Sequence, residues 1–239
     1  MAPDEASRRR EVDFVQWLNM VKNDAAAIFL LGDMFDFWFE YRYVVPRGFV
    51  RLLGKLAELT DSGIPVHFFT GNHDQWVRNY LSRELNLTIH HCPTEFDLNG
   101  KLFLIGHGHE ISLEGFIDRT LHFAFNNWFF RMLYASLHPF WGITFGKNWS
   151  IGSRKRNGLT KPFGESDKEY IYQYAQKTLA KKHYDFFVFG HRHLALDIRM
   201  NENSRYINTG EWIESKTYAV FDGENVSLQS FIFQTETGQ

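Results

Sequence analysis

The segment FVFGHRHLAL, residues 187–196, joins an apolar run to two histidines. Residues 186–189 are continuously apolar, which is typical of a short strand that is buried on both faces. Gly190 follows the run, and His191 and His193 come next with one residue between them. Side chains two positions apart on an extended segment point to one face. We therefore expect both imidazoles to face one site beyond the end of this strand.

Three other predicted strands end in the same way, in a glycine followed by a polar side chain. The junctions are Gly32-Asp33-Met34-Phe35-Asp36 after residues 26–31, Gly71-Asn72-His73-Asp74 after residues 65–70, and Gly106-His107-Gly108-His109 after residues 101–105. Glycine lets the backbone turn sharply and lets a bound group approach closely. A single junction of this kind is commonly a turn or a helix cap. Because ligands of open α/β sheets collect at the carboxyl ends of strands, four such junctions predict a metal site.

The residue types at these junctions favour a particular chemistry. Carboxylate, amide and imidazole groups without any thiolate suit divalent ions such as Mn²⁺, Fe²⁺ or Zn²⁺. An aspartate can bridge two ions held about 3.5–4 Å apart, and such a pair of ions catalyses phosphoryl displacement. The junctions therefore indicate a phosphoryl-transfer or phosphate-hydrolysis site.

Helical and strand patterns alternate along the chain, which predicts an α/β fold. Asn99-Gly100 lies between two short strand patterns and predicts a hairpin. The last three strand patterns predict an antiparallel β meander. The predicted helices cover residues 7–21, 48–59, 75–85 and 170–182, and the predicted strands cover residues 26–31, 65–70, 94–98, 101–105, 186–189, 206–207, 216–221 and 226–233.

The composition excludes several classes of protein. The chain has 239 residues, enough for one large domain or one domain with an insertion. Its formal net charge of −2 gives no argument for nucleic-acid binding. The only cysteine, Cys92, excludes a disulfide within the chain and a Cys-rich zinc site, and it suits a reducing compartment.

Residues 111–167 interrupt the α/β pattern. This segment is crowded with aromatic residues and then becomes basic at Arg154, Arg156 and Lys161. One interpretation is a helical subdomain whose aromatic side chains form its own core. The other is a cap that receives an apolar ligand and an anion, or that rests on a membrane surface.

The junctions closely resemble the signature of the calcineurin-like metallophosphoesterases. The resemblance lies in Gly32-Asp33-x-x-Asp36, Gly71-Asn72-His73-Asp74, the histidine after the third strand and Gly190-His191-x-His193, and it covers most of the chain. It implies a two-layered β sandwich flanked by helices, formed by residues 1–110 and 168–239, with residues 111–167 as a helical cap.

The resemblance also implies roles for single residues. Asp33 corresponds to the carboxylate that bridges two metals, with Asn72, His107 and His191 at the second metal and His193 at the first. His73 corresponds to the catalytic imidazole, which protonates the leaving oxygen or stabilises charge on the phosphoryl group. Asp36 would orient that imidazole through its other ring nitrogen. His109 is expected to be a loop or rim residue.

Within this family the chain is most similar to the bacterial UDP-2,3-diacylglucosamine pyrophosphohydrolases. This similarity lies in GDMFDFWFEY (residues 32–41), in the aromatic and basic insertion, and in YINTGEWIESKTYAVFDGE (residues 206–224). It implies Mn²⁺-dependent cleavage of an acylated UDP-sugar to UMP and 2,3-diacylglucosamine 1-phosphate in lipid A synthesis. It also implies a cytoplasmic enzyme, peripheral on the inner membrane, with no nucleic acid and no obligatory protein partner. Arg154, Arg156 and Lys161 are candidates for binding the substrate phosphates.

One part of the family pattern is absent from the sequence. The family begins with a strand that ends in Asp-x-His, and this motif does not occur before Asp33. We expect the first metal site to retain only Asp33 and His193, and only the site of Asp33, Asn72, His107 and His191 to be complete. A chain without that strand is expected to be catalytically impaired, which expression of short and extended forms with Mn²⁺ would test.

Two other functions remain open at this stage. One is a metallophosphoesterase that acts on another nucleotide, a phosphoprotein or another lipid-linked phosphate. The other is a non-catalytic metal-binding protein that descends from an enzyme.

Overall fold

The computed structural model describes residues 1, 5–111, 127–157, 163–164 and 169–232. The helices are α1 Glu5–Val21, α2 Val50–Asp61, α3 Tyr80–Leu85, α4 Trp128–Ala135, α5 Pro139–Asn157 and α6 Tyr170–Leu179. The strands are β1 Ile28–Leu30, β2 Val66–Phe69, β3 Thr88–His90, β4 Thr94–Leu98, β5 Lys101–Gly106, β6 Phe186–Phe189, β7 Ala195–Arg199, β8 Arg205–Thr209, β9 Thr217–Phe221 and β10 Val226–Ser230.

These strands form three sheets. The first has the order β1-β2-β3 and is parallel, and the second is the antiparallel pair β9-β10. The third has five strands in the order β4-β5-β6-β8-β7, with β5, β6 and β8 parallel to one another. The outer strands β4 and β7 of the third sheet pair antiparallel, so that sheet is mixed. The glycine-linked polar residues follow the parallel strands β1, β2, β5 and β6, whose carboxyl ends lie at one edge of each sheet.

The fold has four layers, which are the helices α1, α2 and α3, the first sheet, the third sheet and helix α6. An apolar core lies between each pair of neighbouring layers. One core lies between β1 and β2 and the helices α1, α2 and α3. The second lies between the sheets, where Phe69 from the first sheet packs with Phe103 and Val188 from the third. The third joins the far side of the five-stranded sheet to α6 through Phe187 and Ile171. The α/β sandwich flanked by helices that the sequence predicts is confirmed.

Two buried glutamates from other segments cap the N-termini of α2 and α3. The residue before α2, Phe49, offers no side-chain cap, and Oε1 of Glu11 on α1 accepts a hydrogen bond from the N–H of Leu52 at 3.2 Å. Glu40 accepts from the N–H groups of Asn79 and Tyr80 at the start of α3, at 2.9 and 3.1 Å. Both contacts place a negative charge at the positive end of a helix dipole.

The structure corrects the prediction of a terminal meander. β8 pairs in parallel with β6 and in antiparallel with β7, whereas β9 pairs with β10 in a separate sheet. β3 and β7 were not predicted, because each is short and half-exposed and neither has a continuous apolar run. The hairpin is confirmed: Asn99 and Gly100 have φ of 55° and 78°, which suits a tight turn between β4 and β5.

Within the predicted insertion, the structure describes the helical pair α4 and α5. Oδ1 of Asn127 caps α4 by accepting from the N–H of Phe129 at 2.9 Å, and the hydroxyl of Tyr134 donates to the carbonyl of Gly142 at 2.5 Å. The predicted cap begins at residue 111, next to the undescribed residues 112–126, and its end at residue 167 lies among the undescribed residues 165–168. The division into core and cap therefore stays a prediction. No helix in the described part of the chain is long and apolar enough to cross a membrane.

Two histidines pack against aromatic rings near the edge of the first sheet. Nδ1 of His67 on β2 lies 3.0 Å from Nε2 of His90 on β3. His67 stacks on Phe29 with ring centroids 4.8 Å apart, and His90 stacks on Phe69 at 4.6 Å. Burial lowers the pKa of His67 and His90 in the folded protein.

These lowered pKa values predict that the fold weakens in mild acid. Below the ordinary histidine pKa of about 6.5 the unfolded chain binds protons that the folded chain does not bind. His67 and His90 are therefore expected to lower the free energy of unfolding as the pH drops from 7.5 to 5.5, against the opposite contributions of His107 and Asp74, whose pKa values are raised. Urea unfolding at several pH values should show a smaller fall in a variant with His67→Gln and His90→Gln. An exposed-site control, His183→Gln, should keep the wild-type slope. If the free energy of unfolding changed equally with pH in all three proteins, the lowered pKa values of His67 and His90 would be contradicted.

Candidate metal and phosphoester site

Among the described residues, one group of histidine, cysteine, aspartate or glutamate side chains could hold a metal ion. It consists of Asp33, His107 and His191. One ligand atom from each lies within 4.8 Å of the others. Asp33 follows β1, His107 follows β5 and His191 follows β6. Since β1 and β5 belong to different sheets, the site lies where the carboxyl ends of parallel strands in the first and third sheets face each other.

The ring of His107 is held in one orientation. Its Nδ1 donates to the carbonyl oxygen of Leu31 at 2.6 Å, and its Nε2 lies 3.5 Å from Oδ2 of Asp33 and 3.1 Å from Nδ1 of His191. A backbone carbonyl that takes the other ring N–H is the usual support of a metal-binding histidine. Gly32 makes this approach possible, because a Cβ there would lie 2.6 Å from Nδ1 of His107.

The backbone at the site is left-handed at three residues other than glycine. Asp33, His191 and His193 have φ of 53°, 66° and 53°. Such conformations cost free energy and occur most often at functional sites. The expectation that His191 and His193 lie on an extended segment is wrong: β6 ends at Phe189, and both histidines lie in the turn that follows.

The charges at the site favour a negative Asp33 and a neutral His191. Burial alone would raise the pKa of Asp33, but His107 and His73 beside it outweigh burial and hold that pKa well below its usual range. The same pairing raises the pKa of His107 against the effect of burial. Burial, together with the charge of His107, lowers the pKa of His191 to about 3. Asp33 and the neutral His191 are donors that suit a divalent cation, and His107 would join them once its Nε2 releases its proton.

Asp74 connects the two loops that carry Asp33 and His73. Its buried carboxylate accepts hydrogen bonds from the N–H of Gly71 at 2.6 Å and from the N–H groups of Met34 and Phe35 at 2.8 and 3.4 Å. Burial and the nearby charge of Asp33 raise the pKa of Asp74 to about 6. The sequence places Asp74 inside the motif, but nothing in its spacing reveals this connecting role.

We expect Asp74→Ala to lower the free energy of unfolding by about 3 kcal/mol, because it leaves buried backbone N–H groups without an acceptor. Denaturant unfolding measures this change. Asp222→Ala is a matched control, since Asp222 accepts from the N–H groups of Glu224 and Asn225 in an exposed turn. The control should cost less than about 1 kcal/mol. Equal losses in the two variants would contradict the connecting role.

His73 lies beside Asp33 and contacts the helical pair. Its N–H donates to Oδ1 of Asp33 at 2.9 Å, and its ring Nδ1 forms a hydrogen bond of 2.8 Å with Oγ of Ser150 on α5. Asp36 forms an ion pair with the amino group of Met1 at 3.0 Å. The predicted role of Asp36 in orienting His73 stays a prediction. Ser150 was not predicted, because a serine after a tryptophan carries no signal of its own.

The other predicted site residues are placed as follows. Asn72 is exposed in the loop before His73, and His193 lies close enough for its charge to lower the pKa of His191. The ring of His109 lies 5.3 Å from that of His107, and its Nδ1 lies 2.9 Å from Oε2 of Glu110. The side chains of Arg154 and Arg156 on α5, and all of Lys161, lie outside the described residues.

Comparison with known proteins identifies the class. A model of the calcineurin-like phosphoesterase family matches residues 10–195. The chain belongs to this family and is a metal-dependent hydrolase.

Three similar proteins carry the same name. The chain is 40% identical over 228 residues to the UDP-2,3-diacylglucosamine hydrolase of Porphyromonas gingivalis, a match that covers 90% of this chain and 87% of the relative. Proteins of the same name from Stenotrophomonas maltophilia and Shewanella baltica are 26% and 25% identical over 229 and 236 residues. Those two matches cover 91% and 94% of this chain, and 90% and 91% of the relatives.

Proposed function

We propose that this protein hydrolyses the pyrophosphate of UDP-2,3-diacylglucosamine to UMP and 2,3-diacylglucosamine 1-phosphate, a step of lipid A synthesis. The observation that carries the proposal is the 40% identity, over 90% of the chain, to a hydrolase named for this substrate. The cluster of Asp33, His107 and His191 supplies the chemistry that such a reaction needs.

Asp33, His107 and His191 would hold the divalent ion, with Asn72 as a further ligand and His193 at a second ion. Carboxylate, amide and imidazole donors suit Mn²⁺. A bound ion of this kind supplies Lewis acidity toward phosphoryl oxygens. Asp33 also fixes the loop of His73, because it accepts the N–H of that residue.

His73 would act on the phosphoester itself. Its imidazole would donate a proton to the leaving oxygen or stabilise charge on the phosphoryl group. Asp36 would orient the ring together with Ser150, through the nitrogen that does not face the phosphoester. Arg154, Arg156 and Lys161 would bind the phosphates of the substrate, because they follow the aromatic segment in sequence and carry positive charge.

The acyl chains of the substrate would contact the helical pair. Trp128, Trp141 and Phe145 on α4 and α5 are 71%, 67% and 61% exposed, and further aromatic side chains lie beside them. Contiguous exposed apolar surface of this kind indicates a ligand or a membrane surface. Tryptophan side chains are enriched at the interface of membrane and water. The same surface supports peripheral association with the cytoplasmic face of the inner membrane.

The acyl dependence of the rate tests this assignment. We expect the protein with Mn²⁺ to hydrolyse the diacylated UDP-sugar at least about a hundredfold faster, in kcat/KM, than UDP-N-acetylglucosamine. Equal rates on the two substrates would favour a phosphoesterase that acts on other nucleotides. A protein that binds Mn²⁺ and hydrolyses neither substrate nor a generic phosphodiester would contradict an enzymatic role.

A further inference from the structure

The buried face of α5 carries small residues at intervals of four. Gly142, Gly146 and Ser150 are buried, whereas Phe140 and Phe145 on the same helix are each 61% exposed. Positions four apart lie on one side of a helix. The helix therefore presents a small-residue face to the protein and an aromatic face to the outside.

The two glycines set how closely α5 approaches the core. A Cβ at Gly142 would collide with the hydroxyl of Tyr41, and a Cβ at Gly146 would collide with the ring of Phe37. Both contacts belong to the segment that follows the metal ligand Asp33. The backbone of α5 thus packs directly on this segment, with no side chain of its own between them.

Ser150 continues this face by one turn and contacts the catalytic imidazole. It is 3% exposed, and its Oγ forms the hydrogen bond of 2.8 Å with Nδ1 of His73. A hydroxyl that fixes Nδ1 also fixes the direction of Nε2, on the other side of the ring. Ser150 on α5 thus contacts His73, and the backbone N–H of His73 contacts Asp33.

We propose that Ser150 is a positioning residue that orients the imidazole of His73, and that the close packing of Gly142 and Gly146 holds α5 at the distance this contact requires. The proposal rests on the proposed hydrolytic function of the same site. It implies that a helix which meets the acyl chains also aligns the group that meets the phosphate.

The first test separates positioning from substrate binding. Ser150→Ala is expected to lower kcat by tenfold to a hundredfold, roughly the effect of misplacing a catalytic group, with KM changed less than about twofold. Ser150→Thr keeps the hydroxyl and should retain more activity than Ser150→Val, which has nearly the same volume. Ser82→Ala is the control, because Ser82 is exposed on α3 and its hydroxyl donates only to the carbonyl of Asn79. A raised KM with unchanged kcat would overturn the proposal.

A double-mutant cycle shows whether Ser150 acts through His73. In a His73→Gln background, Ser150→Ala should lower kcat no further, because the imidazole that it positions is gone. An undiminished effect of Ser150→Ala in that background would contradict the proposal. All rates are measured both on UDP-2,3-diacylglucosamine and on bis(p-nitrophenyl) phosphate. A wild-type protein that hydrolyses bis(p-nitrophenyl) phosphate but not UDP-2,3-diacylglucosamine would refute the proposed function. The effect of Ser150→Ala could then still be measured on bis(p-nitrophenyl) phosphate.

A second variant tests the close packing of α5. Gly146→Ala is expected to lower kcat to a similar extent as Ser150→Ala, because its methyl group must displace Phe37. Gly54→Ala on α2 is the matched control, since no atom lies within 4 Å of a Cβ built there. The ¹⁵N resonance of Nδ1 of His73 is expected to shift in Ser150→Ala and in Gly146→Ala, and to stay unchanged in the Ser82 and Gly54 controls. An unshifted resonance in Ser150→Ala would overturn the contact without any assay of activity.

Discussion

Replacing Asp33 by alanine is expected to remove the bound divalent ion and to lower hydrolysis by about a thousandfold or more. A metal supplies several kcal/mol of charge stabilisation to a phosphoryl transition state, and each 1.36 kcal/mol is a factor of ten in rate. Asp33 is the one carboxylate in the described cluster, and its low pKa keeps it charged at neutral pH. Without it, His107 and His191 offer two neutral donors at most.

The measurement is metal content by mass spectrometry beside kcat at saturating Mn²⁺. Asp61→Ala is the control, because Asp61 is exposed at the end of α2. It should keep both the wild-type metal content and the wild-type kcat. An Asp33→Ala variant that retains its ion, or that retains a tenth of its activity, would show that the site lies elsewhere.

Replacing His73 by glutamine is expected to lower kcat by a factor of about 10² to 10⁴ while the metal content stays unchanged. The imidazole is the group that would transfer a proton to the leaving oxygen, and glutamine cannot do so. The N–H of residue 73 still donates to Asp33 in this variant, because that contact belongs to the backbone. Asp33 therefore keeps this hydrogen bond, and the loss of activity reports on the side chain of His73.

A substrate with a better leaving group sharpens this test. An activated leaving group such as nitrophenolate needs little protonation, so the loss from His73→Gln should be smaller on bis(p-nitrophenyl) phosphate. His183→Gln is the control, because its side chain is 56% exposed at the surface. An equal loss on both substrates would favour stabilisation of phosphoryl charge, and a loss of less than about threefold on both would remove His73 from the mechanism.

The residues of the candidate site that lie at strand ends could be predicted from sequence because their local signals agree. Each of β1, β2, β5 and β6 is short and mostly apolar, and a glycine followed by a polar side chain lies at its end or within two residues of it. The carboxyl ends of parallel strands lie at one edge of a sheet, so neighbouring strands bring such residues together. The sequence therefore predicts one cluster that includes Asp33, His107 and His191, and the structure brings these three side chains together.

Other features depend on contacts that no local pattern encodes. β7 was missed because it is a half-exposed partner of β8, and its pairing is decided by the fold around it. The left-handed backbone at His191 and His193 follows from the turn after β6 and contradicts the alternation of an extended strand. Asp74 and Ser150 act across 40 and 77 residues of sequence, so only the folded chain reveals their partners.

The release of UMP from UDP-2,3-diacylglucosamine tests the central claim most directly. The wild-type protein and Asp33→Ala are stripped with EDTA, divided, and assayed with and without added Mn²⁺, and both products are quantified. We predict equimolar UMP and 2,3-diacylglucosamine 1-phosphate from the wild-type protein with Mn²⁺, and neither product above background in the other three samples. Release of UMP by Asp33→Ala at the wild-type rate, or by the stripped wild-type protein without metal, would contradict the account.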